Sequence, residues 1–257
     1  MDEPAEAREG MRSVLRALDI LEAVSQSQPV GLSALARRLG VPKTTVHRML
    51  RTLGEAGWIA PEGAPGEQRW SLTPRALAVG ASVMNQVDLR EIARPIITGL
   101  SAAINENIHL SVPDGKTLVI IERVPSSRPV QTVQQVGDRA PMYLAASGWA
   151  YLSRLPRAEA KALLPAEVSF ASGGSLSRAA LLNELEKVAA QGYAVNPGRW
   201  RPEVSAIGSA ILGKDGRPVA SMSISMPSYR FTQDLYEPYG SLVRDAAAQV
   251  TEKIARL

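Results

Sequence analysis

The stretch GLSALARRLGVPKTTVHRMLRTLGEAG, residues 31–57, decides the fold of the first part of the chain. Its first helix has one apolar stripe at helical spacing, formed by Leu32, Leu35, Ala36 and Leu39. We expect Ser33 to cap that helix, Gly40 to end it and Pro42 to begin the next. The second helix ends near Ala56 and buries Val46, Met49, Leu50 and Leu53. This pattern predicts a helix-turn-helix, which places its second helix in the major groove of DNA.

The charge balance of this segment favours contact with DNA. Residues 31–58 contain five cationic side chains and one acidic side chain, a net of +4, which equals the net charge of the 257-residue chain. The residues expected to reach base edges from the second helix are Thr44, His47, Arg48 and Arg51, and Thr45 is expected to contact DNA beside them. Ser33, Arg37 and Lys43 are expected at phosphates. A solvated surface helix is the alternative, but the combined stripe, glycine, proline and basic face favours the DNA-binding interpretation.

The flanking segments predict a winged form of this motif. Residues 12–25 form an amphipathic helix, with Val14, Leu18, Leu21 and Val24 expected to face inward. Two short strands, 58–60 and 68–72, flank a loop over 61–67, and Arg69 in this wing is placed to touch the DNA backbone or minor groove. Thr73 is expected to cap a following helix. We therefore predict a disordered tail over 1–10, a winged helix-turn-helix over 11–73 and a linker helix over 74–90.

Residues 91–257 read as a second domain that mixes strands and helices. Hairpins are predicted for 108–112 with 117–123 and for 204–212 with 219–226, and a further strand for 130–136. Helices are predicted over 91–104, 147–154, 177–191 and 233–256. The second of these begins at Ser147, and the third is capped by Ser177 and stopped at Gly192. This mixture predicts an α+β domain with one antiparallel sheet.

Composition argues against an enzyme and against a membrane protein. The chain has no cysteine and two histidines. His47 is assigned to the DNA helix, and His109 alternates with apolar residues in a strand, where a satisfied structural histidine is expected. The segment 208–215 imitates a phosphate loop but lacks the Ser or Thr after Lys214. The polar start is unlike a signal peptide, and no apolar run could span a membrane. We therefore expect a cytoplasmic protein with no catalytic residues, metal or cofactor.

Six segments resemble the IclR family of bacterial transcriptional regulators. They are SVLRALDILEAV at 13–24, GLSALARRLGVPKTTVHRMLRTLGEAGWI at 31–59, SLTPRALAVG at 71–80, VGDRAPMYLAASGWAYLS at 136–153, GYAVNPGRWRPEVSAIGSAIL at 192–212 and SMSISMPSYR at 221–230. The resemblance runs from about residue 11 to the C-terminus. It implies a two-domain α+β regulator with an N-terminal winged helix-turn-helix, a linker helix and a C-terminal GAF-like effector domain. A purely architectural DNA binder, the alternative, would not need the effector domain that fills about two thirds of the chain.

The resemblance also implies an effector pocket. In the family, a small molecule, often an organic acid or an aromatic compound, occupies a pocket of the second domain. The matching positions are the turn Ala146, Ser147 and Gly148, the serines Ser223 and Ser225, Asn196 at the acidic position of the family, and Ala206 at its cysteine position. Three further positions depart from the family pattern, because Trp149 replaces a lysine, Arg199 a glutamate and Glu203 a glycine.

The residue types at these positions favour a carboxylate effector. Free backbone N–H groups where the helix begins at Ser147 attract anions, and Asn196 removes the repulsion that an acidic side chain would exert. Ala206 makes room, and Met142 or Tyr143 offers an apolar wall. We expect an effector with a carboxylate and a sizeable apolar body, which is either aliphatic or aromatic. The alternative is that the three serines have ordinary roles in strands and as a helix cap.

The expected assembly is a homo-oligomer, either a dimer or a dimer of dimers. Such an assembly would present two copies of residues 42–56 to a pseudo-palindromic operator. Effector binding would shift the population of domain arrangements. Relief of repression and activation both stay open as outcomes.

Overall fold

A computed structural model describes residues 5–64, 66–84 and 89–257 of the chain. The chain divides into two compact units, Met1–Val87 and Asp88–Leu257. Each unit has its own sheet and its own buried apolar core.

The first unit is a winged helix-turn-helix. Its elements are α1 Ala5–Ser27, β1 Val30–Gly31, α2 Leu32–Leu39, α3 Lys43–Glu55, β2 Ile59–Glu62, β3 Arg69–Leu72 and α4 Pro74–Met84. The three strands pair in the order β1-β3-β2, and β2 pairs antiparallel with β3 from Ile59–Leu72 to Glu62–Arg69. The wing predicted from residues 58–72 is therefore present.

Gly40 and Pro42 lie at the turn between α2 and α3 as predicted, but the predicted N-cap of α2 is wrong. Gly40 ends α2 in the left-handed conformation, with φ of 62°. Pro42 directly precedes α3, which ends at Glu55. The prediction that Ser33 caps α2 is wrong, because Gly31 holds the cap position and Ser33 is already the second helical residue. The chain enters α2 directly from β1, which brings the start of the helix forward.

Helix α1 differs from the prediction at its start and in its inward face. The helix begins at Ala5, so residues 5–10 extend it instead of forming a tail, in keeping with their content of good helix formers; residues 1–4 of the expected tail lie outside the described residues. The core of the unit reaches α1 at Ile20, Ala23 and Val24. Val14 and Leu18, expected inside, are 60% and 51% exposed, because that core contacts α1 only toward its C-terminal end.

The linker helix was predicted over residues 74–90. Helix α4 covers Pro74–Met84, and the next helix begins at Leu89. The part of the prediction that falls on residues 85–88 lies outside the described residues.

The second unit is built on a six-stranded antiparallel sheet in the order β6-β5-β4-β11-β10-β9. Its strands are β4 Asn107–Asp114, β5 Thr117–Val124, β6 Arg139–Pro141, β9 Ala194–Arg201, β10 Val204–Leu212 and β11 Pro218–Pro227, and a separate pair joins β7 Glu167–Ser169 to β8 Ser175–Ser177. Its helices are α5 Leu89–Ile104, α6 Ala146–Leu152, α7 Arg157–Leu163, α8 Arg178–Gln191 and α9 Tyr236–Ala255. The α+β class and the two predicted hairpins are thus confirmed.

The two faces of this sheet differ in polarity. Helices α5 and α9 pack on the sheet together, over buried apolar residues such as Ile108, Ile207 and Ile224. The alternate residues of the same strands, such as His109 and Ser223, belong to the other face, on which α6 packs. The polar face is buried as well, so any site on it is shielded from solvent.

The strand predicted over residues 130–136 is wrong. This segment belongs to a loop without regular secondary structure, residues 125–138, which we call the covering loop. The alternation of apolar and polar residues predicts that the apolar side chains are buried. The reverse is observed, because polar Thr132 and Gln134 are buried while Val130 and Val133 are 55% and 70% exposed. Thr132 donates or accepts hydrogen bonds with polar side chains of the sheet instead of joining a backbone ladder.

Candidate nucleic-acid interface and candidate ligand cavity

The outer face of α3 is exposed and cationic. Thr44, His47 and Arg48 are exposed, whereas Thr45 is half-buried beside the turn. Arg51 is also exposed and pairs with Glu55 one turn later, with Nε–Oε1 at 2.8 Å. The inner face of the helix is fixed by buried side chains, Val46, Met49 and Leu50. The helix therefore presents a defined polar face from a rigid base.

Three of the remaining predicted contact residues surround one surface cleft. Ser33 and Arg37 from α2 and Arg69 from β3 all line the cleft between the start of α2 and the wing. Arg69 donates from Nη1 to the carbonyl of Pro29 at 3.4 Å, which steadies its side chain. Lys43 is exposed at the first turn of α3. The structure thus places cationic side chains on α2, on the wing and at the first turn of α3.

Sequence reasoning missed a contact that anchors the end of α3. Arg75, in the first turn of α4, donates from Nη1 to the carbonyl of Ala56 at 2.7 Å, and its guanidinium carbon lies 5.2 Å from the centroid of the Trp58 ring. Thr73 donates to the carbonyl of Gly57 at 2.6 Å. Because a cation at a helix C-terminus favours the helix dipole, this contact stabilises the end of α3 and joins it to α4.

A cavity of about 40 Å³ lies on the polar face of the sheet in the second unit. Six of the nine predicted effector residues line it: Ala146, Ser147, Asn196, Ala206, Ser223 and Ser225. Gln134 of the covering loop and Trp200 and Arg201 at the end of β9 complete its wall. For comparison, an apolar cavity of about 150 Å³ holds benzene. The space in this cavity is therefore smaller than one that holds an aromatic ring.

The other three predicted residues are not among those that line the cavity. Met142 is buried in the apolar cluster beside the cavity, and Tyr143 packs against that cluster. The carbonyl of Tyr143 accepts a hydrogen bond from Nε1 of Trp149 at 2.9 Å. A Cβ on Gly148 would lie 2.1 Å from the carbonyl oxygen of Met142. Gly148 thus allows the turn before α6 to close tightly.

Asn196 lines the cavity with an amide that is already engaged. Its Nδ2 donates to the carbonyl of Leu144, and its Oδ1 accepts from the backbone N–H of Arg199 at 2.7 Å. The amide thus ties β9 to the chain that leads into α6 through Nδ2, and holds the backbone of β9 through Oδ1. Asn196 positions this wall.

The floor of the cavity contains residues that the prediction left out. His109 and Ser111 of β4 line it beside Ser223 and Ser225 of β11. His109 is 2% exposed, and its Nε2 has no hydrogen-bond partner within the described part of the chain, so the expectation of a satisfied histidine is wrong. Burial, and to a lesser extent the charge of Arg123, lowers the pKa of His109 to about 3. The alternation of polar and apolar residues in β4 is the sequence signal that could have identified these residues, but it does not show which face of the sheet holds a cavity.

Two positions that depart from the family pattern contact each other beside the cavity. The guanidinium carbon of Arg199 lies 4.3 Å from the centroid of the Trp149 ring and 5.3 Å from that of Phe170. Trp149 is buried, and burial lowers the pKa of Arg199. The third departure, Glu203, is exposed.

Neither a metal site nor a membrane span is found among the residues that the structure describes. No group of three or more His, Cys, Asp or Glu side chains there could hold a metal ion. No helix in the same part of the chain is long and apolar enough to cross a bilayer.

Comparisons with known proteins match both units. The family model described as IclR helix-turn-helix domain matches residues 13–63, and that described as Bacterial transcriptional regulator IclR C-terminal matches residues 81–252. The HTH-type transcriptional regulator KipR of Bacillus subtilis is 29% identical over 95% of this chain and 97% of its own length. The transcriptional repressor IclR of Escherichia coli is 27% identical over 94% and 89%.

A solved structure shows the same fold over nearly the whole chain. It is an IclR homolog from Microbacterium hydrocarbonoxydans in complex with 4-hydroxybenzoate, with a TM-score of 0.75 and 22% identity over 95% of this chain and 100% of that one.

Proposed function

This chain belongs to the IclR family of bacterial transcriptional regulators, and we propose that it acts as a dimer or a dimer of dimers that binds a pseudo-palindromic operator and responds to a short organic acid. As a member of that family it is a DNA-binding transcriptional regulator with a C-terminal effector domain, and not an enzyme. The observation that carries the proposal is the exposed face of Thr44, His47 and Arg48 on a helix whose other face is buried in the core.

In this proposal α3 enters the major groove. Arg48 and Arg51 read guanines or other base edges, with Thr44, Thr45 and His47 beside them. The ion pair of Arg51 with Glu55 is exposed, and pairs of this kind contribute about 0.2–1 kcal/mol, so DNA can replace it. Phosphate contacts come from Ser33, Arg37 and Lys43, while Arg69 in the wing reaches the backbone or the minor groove.

Exposed apolar residues in the first unit support an oligomer. Leu77 of α4 is 75% exposed, and among the described side chains of α1 and α4 four further large apolar residues are more than half exposed: Val14, Leu15, Leu18 and Val79. Exposed large apolar side chains favour contact with a partner, and a second copy of the chain is the partner that a two-fold symmetric operator requires. The half-sites would then lie one helical turn of DNA, about 34–36 Å, or a multiple of it apart.

The cavity supports a small effector. Its volume of about 40 Å³ leaves room for a few non-hydrogen atoms. Ser147, Ser223 and Ser225 offer hydroxyl donors, and no acidic side chain is among the described residues that line it. This lining suits a short aliphatic carboxylate better than the larger apolar or aromatic acid expected from sequence. The 4-hydroxybenzoate of the Microbacterium homolog makes an aromatic acid the competing outcome of the test.

The test of DNA binding compares two arginines in footprinting on the promoter of the gene for this protein. Arg48→Ala should lose the footprint, because loss of a good base contact weakens binding by about 1–3 kcal/mol. Arg16→Ala is the matched control, since Arg16 is exposed on α1 and the variant removes the same charge. Equal footprints for both variants would refute docking through α3.

The test of effector binding is calorimetric titration of the full chain with acetate, glycolate, pyruvate and benzoate. We expect binding of at least one short acid and none of benzoate. Addition of that acid to the protein–DNA complex should change the operator affinity, because a ligand that binds one state better shifts the equilibrium between states. Exclusive binding of benzoate would refute the assignment of a short acid.

A further inference from the structure

The polar face of the sheet gathers hydrogen-bonding side chains at the cavity. On β4 the residues of this face are Asn107, His109 and Ser111, and on β11 they are Ser221, Ser223 and Ser225, all buried. His109 lies directly opposite Ser223 in the ladder, and Ser111 lies opposite Ser221. Apolar side chains at these positions would need no hydrogen-bond partner. Each buried polar group without one destabilises the fold by about 1–3 kcal/mol. Two adjacent strands with this pattern therefore indicate a ligand.

Buried polar atoms without a partner concentrate beside this floor. Within the described ranges, three buried side-chain atoms have no hydrogen-bond partner: Nε2 of His109, Nε of Arg123 and Oγ of Ser221. Arg123 of β5 lies opposite His109 in the ladder. The three unpaired atoms thus belong to three neighbouring strands, β5, β4 and β11, and His109 lines the cavity itself.

Beside the floor lies a positive charge that no carboxylate of the described residues compensates. The guanidinium of Arg123 is half-buried and donates to amide oxygens only, Asn107 Oδ1 at 3.2 Å, Gln131 Oε1 at 3.3 Å and Gln135 Oε1 at 3.4 Å. No ion pair of Arg123 with a described acidic residue is formed. An anion in the cavity would compensate this charge at a site of low dielectric constant, where charge interactions are stronger than in water.

We propose that His109 is the specificity-determining contact of the effector cavity, and that it donates a hydrogen bond from Nε2 to the carboxylate of the effector while Arg123 supplies the compensating charge behind it. This inference rests on the proposed function of the cavity as the effector site. The imidazole is neutral, since burial and Arg123 disfavour its protonation, and a neutral imidazole has one N–H to donate. His109 therefore recognises the anion through a directed hydrogen bond, whereas Arg123 acts through its positive charge.

The first test compares acids with their neutral amides in calorimetric titrations of the full chain. The probes are acetate, glycolate and pyruvate, each beside its amide. His109→Leu should weaken the binding of the acids about 10- to 100-fold, the range for a lost hydrogen bond to a charged group. Arg123→Gln should reduce the preference for acid over amide. Arg139→Gln is the matched control, because Arg139 lies on the neighbouring strand and pairs with exposed Asp114.

A second measurement observes ligand binding in the wild-type protein, and a variant serves only to assign the signal. Nitrogen NMR of the wild-type imidazoles should show a shift at Nε2 of His109 on saturation with the acid, and the signal is identified by its loss in His109→Gln. His47 provides the reference, since the chain has two histidines and His47 lies in the other unit.

The outcomes separate this inference from the proposed function. If wild type binds a short acid while His109→Leu binds it equally well, or the His109 signal does not move, the role of His109 is refuted and the effector class stands. If wild type binds none of the acids, both are refuted.

Discussion

The guanidinium carbon of Arg199 lies 4.3 Å from the centroid of the buried Trp149 ring, a cation–π contact between the two positions where the resemblance implies a glutamate and a lysine. An arginine on an aromatic face thus occupies the positions of that glutamate and that lysine. Arg199 also fixes the wall of the cavity, because its backbone N–H donates to Asn196 Oδ1 at 2.7 Å.

The first prediction is energetic coupling between these two side chains. Each of the single variants Arg199→Gln and Trp149→Leu should lower the free energy of unfolding. The loss of unfolding free energy in the double variant should be smaller than the sum of the two single losses by about 0.5–2 kcal/mol, the strength of a partly desolvated cation–π contact. Urea unfolding of the four proteins measures this coupling. Additive losses would show that the contact contributes no energy of its own.

The second prediction concerns Gly208, on which the start of α6 rests. A Cβ at this position would lie 2.9 Å from the backbone nitrogen of Ser147 and 3.1 Å from the carbonyl carbon of Ala146. Gly208→Ala must displace α6 from the sheet, which should lower the free energy of unfolding by about 1–3 kcal/mol and weaken effector binding.

Gly99→Ala is the control for this prediction. Gly99 lies in α5 with nothing within 4 Å of the added Cβ, so alanine there should be neutral or stabilising by up to about 1 kcal/mol. Thermal unfolding and calorimetric titration compare the two variants. Unchanged effector affinity in Gly208→Ala would separate the position of α6 from the effector site.

Local signals predicted the DNA-binding motif, while tertiary context decided the rest. Gly40 and Pro42 act within a few residues, so the turn between α2 and α3 follows from sequence alone. The inward face of α1 does not, because Val14 and Leu18 are as apolar as Ile20 and only the reach of the core distinguishes them.

The same limit applied to the cavity. The alternation of the covering loop looked like a strand because periodicity does not tell which face is buried, and there the buried face is the polar one, with Thr132 and Gln134. The expectation of a structural role for His109 fails for a related reason, since the sequence of a single strand does not show which atoms lack a partner. The effector positions identified from the resemblance approached the cavity from α6, β9, β10 and β11, and left β4 out.

The third prediction is a pH dependence of stability from His109. Burial, with Arg123 as the smaller cause, lowers its pKa from 6.5 to about 3. Between these values the unfolded imidazole binds a proton that the folded one does not. Stability therefore decreases as the pH falls from about 6.5 toward 3, by up to about 1.4 kcal/mol per pH unit from this group.

His109→Gln tests this dependence, because glutamine does not titrate. Its free energy of unfolding should gain on that of wild type as the pH is lowered from 7.5 to 5, measured by urea unfolding at several pH values. The comparison removes the contributions of other titrating groups. Parallel curves for the two proteins would contradict the lowered pKa.

The fourth prediction concerns Arg75, which joins the end of α3 to α4 without lying on the exposed face of α3. Loss of its hydrogen bond to Ala56 and of its contact with Trp58 should loosen the last turn of α3, since each contact of this type contributes about 0.5–1.5 kcal/mol. Arg75→Ala should therefore speed amide hydrogen exchange at residues 54–58 and weaken operator binding, with Arg16→Ala as the control for lost charge. Arg75→Lys keeps the charge but not the planar group over Trp58, and should restore only part of the protection. Unchanged exchange in Arg75→Ala, together with unchanged operator affinity, would show that α4 does not support α3 through this side chain.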